Sequence, residues 1–202
     1  MATRNLLVAE PDYSEVVRQP LQANQCALLV VDIQEKLLPQ IFEKERLVRN
    51  AQLLIRLANA LNVPTVATTQ YIRGLGPIVP EAAELLPRQN SLDKTTFSCF
   101  GHEPFRAALK ALPGRRNTLL VCGIESHICV MQTVRDALDE GYLVHVPVDA
   151  VSSRTELNWK IGLDRMRFAG AVLSTTEMMA YELLHASNTP AFKTMLPHLK
   201  AA

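Results

Sequence analysis

The chain is predicted to fold as a three-layer doubly wound α/β domain, a Rossmann-like parallel sheet flanked by helices, on three observations. Continuous apolar runs such as CALLVVDI (26–33) and NTLLVC (117–122) lack the polar alternation of a half-exposed strand and suit strands covered on both faces. Segments with apolar residues at helical spacing separate these runs. Asp32 and Gly123 close two of them, at what would be the carboxyl edge of the sheet, where such folds bind ligands.

Taken in order, residues 1–22 are mostly polar, contain Pro11 and Pro20 and show no sustained period, so they are expected to form an arm. Residues 23–202 are expected to form one domain. Its first strand is the run ending near Asp32. Leu47, Ala51, Leu54, Ile55, Ala58 and Leu61 then recur at helical spacing, and Asn62 with Pro64 stops that helix before a second strand, PTVATT.

The segment from Gln70 to about Glu103 is dense in Pro and Gly near YIRGLGPIVPE and contains LDKTTFSCF; a loop of that length in a compact domain usually serves function. Pro104 suits the first position of a helix through Leu112. NTLLVC is the next strand, and the helix after Cys129 ends at Gly141. YLVHVPVDA and AVLS read as the remaining strands. Ser153 with Glu156, and Ser174 with Glu177, match the capping-box spacing and start two further helices.

With 202 residues, 48% of them apolar, the chain can bury one substantial core and does not require two. Its 21 basic and 20 acidic residues nearly cancel and form no block, which argues against nucleic-acid and membrane partners and leaves a small-molecule substrate. Cys26, Cys99, Cys122 and Cys129 are dispersed, without the paired spacing of a zinc site, and fit a reducing, cytoplasmic setting. MATRNLLVAE lacks the apolar stretch of a secretory signal, and no apolar run reaches membrane-spanning length.

The stretch CGIESHICV (122–130) reads as a strand stopping at Gly123, a turn, and a helix starting at Cys129. A thiol in the first turn of a helix meets the positive end of the dipole and free N–H groups, both of which favour the thiolate. A thiol that attacks a carbonyl also needs a base and donors for the oxyanion. Asp32 suits the base, because a carboxylate ending a buried strand is costly without a purpose. Lys94, a basic residue of the long loop, suits the stabilising cation. Tyr71, Phe97 and Ser98 are candidates to line the pocket, while Cys26 and Cys122 read as core. His102, His145, His185 and His198 show no ligand spacing.

Asp32 in VVDIQEKL, Lys94 in LDKTTFSCF and Cys129 in GIESHICV resemble the Asp, Lys and Cys of the isochorismatase-like cysteine hydrolases, over about Ala23 to Ala186. TTQYIRGLGPIVPE, DKTTFS, and VDAVSSRTELN through RMRFAGAVLSTTE are most similar to the isochorismatase-domain-containing subgroup. The resemblance implies Cys129 as nucleophile, Asp32 as general base, and Lys94 pairing with both. It also implies a cis peptide at Ile124–Glu125, with the N–H groups of Glu125 and Cys129 forming the oxyanion hole, and a homo-oligomer, dimer or larger. Gln34, Tyr71, Phe97 and Glu125 would contact substrate.

Two departures narrow what carries over. The Asp-x-His metal motif of the nicotinamidase branch is replaced by Gln70-Tyr71-Ile72, so no metal and no cofactor is expected. Glu125 and His127 make the pocket wall more polar than a nicotinamide would want. True isochorismatases do not require the cysteine, so Cys129 implies hydrolysis of a small amide, ureido or related acyl substrate through a thioester. A low-turnover binding or redox-responsive protein on the same fold is the alternative.

Overall fold

The computed structural model describes residues 19–86 and 91–201. The expected arm lies almost wholly outside these residues. Seven strands, β1 (Cys26–Val31), β2 (Thr65–Gln70), β3 (Leu92–Lys94), β4 (Thr118–Ile124), β5 (Leu143–Pro147), β6 (Val151–Ser152) and β7 (Val172–Ser174), form one sheet in which every pairing is parallel. The order is β3-β2-β1-β4-β5-β7, with β6 lying beside the end of β4. The main helices are α1 (Lys44–Ala60), α2 (Glu103–Lys110), α3 (Met131–Asp139), α4 (Glu156–Ala169), α5 (Thr176–Leu184) and α6 (Pro190–Lys200).

The alternation of side chains along a strand explains why the central runs are apolar throughout. Cys26, Leu28 and Val30 of β1 pack with α1, α5 and α6 on one face, whereas Ala27, Leu29 and Val31 pack with α2, α3 and α4 on the other. β4 does the same, sending Leu120 and Cys122 to the first face and Leu119 and Val121 to the second. Both strands are fully buried. The three-layer doubly wound architecture is therefore the observed one.

The chain winds outward from β1 to β3, then crosses back to place β4 against the other side of β1, with Val31 opposite Gly123. That reversal opens a crevice beyond the carboxyl ends of β1 and β4. Gly123, at φ 122°, permits the close approach there: a Cβ on it would lie 2.0 Å from the Val31 carbonyl oxygen.

Several elements differ from expectation. The long segment after β2 is not simply a loop, because Leu92–Lys94 pairs in register with Thr68–Gln70 as an edge strand. Of YLVHVPVDA only Leu143–Pro147 pairs as a strand, β5, and the short β6 follows it at Val151–Ser152. The caps sit at Thr155 and Thr175, whose hydroxyls accept from the N–H groups of Asn158 and Met178, both at 3.2 Å, so Ser153 and Ser174 do not cap. The C-terminal α6, capped by Thr189, was not anticipated. Among the described residues no helix is long and apolar enough to cross a membrane.

Candidate active site

Asp32 follows β1 directly, in a left-handed conformation at φ 52°, which turns its carboxylate into the crevice instead of continuing the strand. Neighbouring strands then supply its partners. Thr68 near the end of β2 donates its hydroxyl to Oδ1 at 2.7 Å, and Lys94 at the end of β3 donates Nζ to Oδ2 at 2.6 Å. The Lys94 ammonium also donates to Gln70 Oε1 at 2.9 Å. Both members of the ion pair have side chains with no solvent exposure. A lone buried charge would be prohibitive, and here each ion has its counter-ion and further hydrogen bonds.

Burial pulls the Lys94 ammonium down, but the negative charge of Asp32, with Cys129 and Cys99, reverses this and leaves its pKa raised. The cation is thus held protonated inside the fold.

Cys129 lies in a wide helical turn, Ser126–Val130, that runs into α3. The helical backbone therefore begins at Ser126, three residues ahead of the expected start. The Val130 N–H reaches back to the Glu125 carbonyl at 3.2 Å, the five-residue step that widens the turn. Gly162 of α4 lets that helix seat against it, since a Cβ there would lie 2.8 Å from the Ser126 carbonyl oxygen.

The environment of this thiol reverses the sequence expectation of a lowered pKa. Burial first, then the charge of Asp32, push the Cys129 thiol up to about 12, and the opposing pull of Lys94 is too weak to restore it. Low dielectric disfavours the thiolate, and an adjacent carboxylate disfavours it further. The resting site is a neutral thiol facing a carboxylate that is able to take its proton.

The Ile124–Glu125 peptide is cis. Among the described residues no protein group accepts the Glu125 N–H. The Glu125 carboxylate turns aside to accept from the backbone N–H of Arg154 at 3.1 Å and from its Nε at 3.0 Å. Ser153 bonds Ser126 Oγ at 2.6 Å and His127 Nδ1 at 2.9 Å, tying the segment that follows β6 to the turn that holds the cysteine. Burial holds the His127 pKa below its ordinary value; Glu125 opposes that shift and Arg154 adds to it, so the ring is neutral at pH 7.

The candidate substrate contacts fare differently. Tyr71 and Phe97 are 54% and 55% exposed, both on the segment that carries Lys94. Gln34 is fully buried, and its amide is consumed by backbone: Nε2 donates to Gln70 and Gly76 carbonyls at 3.1 and 2.6 Å, and Oε1 accepts from the Gln70 N–H at 2.7 Å. It braces the crevice wall through these bonds. Ser98 likewise faces away, donating to Asp136 of α3 at 2.6 Å. Beside Glu125 lies a cavity of about 200 Å³ lined by Lys36, Leu37, Gln40, Ile41, Glu125 and Arg154.

Thr68, Gln70, Ser153 and Arg154 were not among the expected site residues. Thr68 and Gln70 follow from strand register, since β2 pairs with both β1 and β3 and so reaches Asp32 and Lys94. The position of PTVATTQ at a strand end was the available signal. Among the described residues, no group of three His, Cys, Asp or Glu is placed to hold a metal ion.

With this geometry in view, the isochorismatase domain model matches residues 26–178. Isochorismatase domain-containing protein 2 of Rattus norvegicus is 38% identical over 173 residues, 86% of this chain and 80% of that protein. The structure of MAR1 ribonuclease from Caenorhabditis elegans superposes with a TM-score of 0.83 at 36% identity, covering 89% of this chain and 92% of that one. YcaC from Pseudomonas aeruginosa, solved with hexane-2,5-diol and covalent acrylamide, gives a TM-score of 0.84 at 30% identity over 91% and 94% of the two chains. YcaC from Escherichia coli, described as an octameric hydrolase of unknown specificity, gives 0.81 at 30% identity over 90% and 93%.

Proposed function

The chain belongs to the isochorismatase family of hydrolases, and from the buried Asp32–Lys94 pair set against Cys129 we propose that it hydrolyses a small amide, ureido or related acyl substrate through a covalent thioester. That juxtaposition carries the reading. A fully buried cation and carboxylate beside a thiol cost more than packing alone repays, and together they hold the parts of an acyl-transfer site.

Asp32 takes the proton of Cys129 as the sulfur attacks the carbonyl carbon, so the thiolate forms only as the C–S bond does. The carbonyl oxygen becomes an oxyanion held by the N–H groups of Glu125 and Cys129. Collapse expels the amine, which leaves with the proton from Asp32. A water, deprotonated by the same carboxylate, then attacks the thioester, the acid departs and the thiol is restored. Lys94 stays an ammonium throughout, offsetting the negative charge that moves between Asp32 and the sulfur. No cofactor enters this scheme.

The octameric relative supports a homo-oligomer, and four free buried cysteines support a reducing, cytoplasmic setting. The near balance of basic and acidic residues supports a small-molecule substrate over nucleic acid.

The decisive experiment incubates the wild-type protein and Asp32→Asn with an acyl panel of amides and ureas and, because one relative is named a ribonuclease, with RNA. An acyl adduct on Cys129 by mass spectrometry, with product release slowed roughly 10²–10⁴-fold in Asp32→Asn, is the expected result. Removing the Asp32 charge also lowers the Cys129 pKa from about 12, since a negative neighbour raises a thiol and Lys94 then acts unopposed. The thiolate absorbance of the variant is therefore expected to appear at lower pH even as turnover falls. RNA cleavage that survives Cys129→Ser, with no adduct from any acyl compound, defeats the proposal.

A further inference from the structure

The helix α4 is apolar on two opposite faces, and only one of them is buried. Its inner face packs Trp159, Leu163 and Met166 into the core that holds Cys129, and Gly162 lets it seat against the Ser126 carbonyl in the turn carrying that cysteine. On the opposite side Leu157, Ile161 and Phe168 stand 69%, 51% and 73% exposed. At 3.6 residues per turn these three fall within an arc of about 40° and along a line of about 16 Å. An outer face that met only water would be polar, and an apolar stripe rimmed by charged side chains marks an interaction surface.

The pattern also identifies the occupant. Counted from Gly162, Ile161 is one residue before, Lys160 and Asp164 are two before and two after, and Leu157 and Phe168 are five before and six after. A two-fold axis level with Gly162, lying in the contact plane and perpendicular to the helix, therefore sets an antiparallel copy of α4 against the first in self-complementary register. Ile161 meets Ile161 of the partner subunit, Leu157 meets Phe168 of the partner subunit, and Lys160 faces Asp164 of the partner subunit. Lys160 and Asp164 lie on the same flank of the apolar line, and such an axis keeps that flank of both copies on one side, so the opposite charges come together. Both are exposed, and each already has an exposed partner within its protomer: Lys160 reaches Glu156 at 2.7 Å, and Arg167 reaches Asp164 at 3.5 Å. On the other flank Arg165 falls opposite Asn158 of the partner subunit. An unrelated protein has no reason to require this symmetry.

Building on the homo-oligomer reading above, we propose that α4 forms a two-fold interface between copies of this chain, with Ile161 at its centre. The contact lies directly behind the helix face that seats the Cys129 turn.

The test reads the assembly of the full-length protein by sedimentation velocity across a dilution series, together with cross-linking by a short bis-maleimide, each end of which adds one thiol across its double bond. Lys160→Glu and Asp164→Lys each set like charges opposite one another and are expected to raise the dissociation constant of this contact about tenfold or more, whereas the double variant exchanges the charges and is expected to return to within about threefold of wild type. Ile161→Cys is expected to give a covalent dimer joined through the introduced thiols. Leu157→Cys, whose two copies stand about 15 Å apart along the helices, is not, and mixing it with Phe168→Cys is expected to restore the cross-link. The four native cysteines are buried, and the wild-type protein is the control. Should a charge variant fail to fold, the cross-links decide the matter. A wild-type protein that stays monomeric at every concentration overturns both this interface and the homo-oligomer reading. Assembly unchanged by either charge variant, with no covalent dimer from Ile161→Cys, overturns the interface and leaves the homo-oligomer standing. Cross-linking of Leu157→Cys to itself as efficient as that of Ile161→Cys overturns the antiparallel register.

Discussion

Cys122 and Cys129 lie seven residues apart at the two ends of one strand–turn–helix passage, both buried, and both thiols are pushed up to about 12. The causes differ. For Cys122, on the α1 face of β4, burial among aliphatic side chains accounts for the shift, and no charged group bears on it. For Cys129, on the opposite face, burial is joined by Asp32 pushing up and Lys94 pulling down. A raised pKa therefore does not distinguish a packed thiol from a poised one. What distinguishes them is a base able to take the proton and a cation able to bear the result.

The sharpest way to break this comparison is to exchange sulfur for oxygen at each position. Cys129→Ser is expected to abolish covalent labelling and lower acyl turnover at least a thousandfold, because a serine hydroxyl is a far weaker nucleophile with the same base. Cys122→Ser, which buries a hydroxyl among apolar groups, is expected to lose stability of about 1–3 kcal/mol while labelling persists in the folded fraction. Thermal melts and intact-mass labelling on the same samples separate the two effects. Equal losses of labelling would show that the two faces of β4 are not independent.

Lys94→Met probes the cation that Cys122 lacks. It leaves Asp32 buried with the Thr68 hydroxyl and the Cys129 thiol but no counter-ion, and removing one partner of a buried pair costs roughly 3–5 kcal/mol. Denaturant melts are expected to show that loss. A variant of wild-type stability would mean that water reaches Asp32 and that the pair is not a buried one.

The contrast also marks where the sequence was legible. β1, β4 and α1 announce themselves, since a strand covered on both faces must be apolar at every position and a core-facing helix must repeat at 3.6 residues. β3 and β6 do not, because segments of three and two residues are held by register with a neighbour and not by any pattern of their own. The cap positions slipped because Ser153 and Thr155, and Ser174 and Thr175, compete within two residues, and Ser153 was drawn to Ser126 and His127. Asp32, Lys94 and Cys129 could be read from three spaced motifs. Arg154 resembles any surface charge until Glu125 is seen behind it. The direction of the Cys129 shift was misread for a physical reason: a helix terminus is visible in sequence, whereas the depth at which it is buried is not.

Cys122→Ala should give the smallest effect, and it bears most directly on whether the two thiols belong to separate worlds. Cys122 pairs across the sheet with Val30 and immediately precedes Gly123, the residue that lets β4 approach Val31, next to Asp32 in the chain. If its sulfur only fills space, deleting it opens a void of a single atom and costs about 1 kcal/mol, or roughly 2–4 °C in Tm for a chain of this size. The labelling rate at Cys129 should stay within twofold, since the lost atom faces α1 and the Cys129 thiol belongs to the core on the other face of the sheet. A larger melt shift with unchanged labelling would mean tighter packing on the α1 face. Slower labelling with an unchanged melt would instead mean that the sulfur sets the position of Gly123, and through it the crevice in which Asp32 and Cys129 meet.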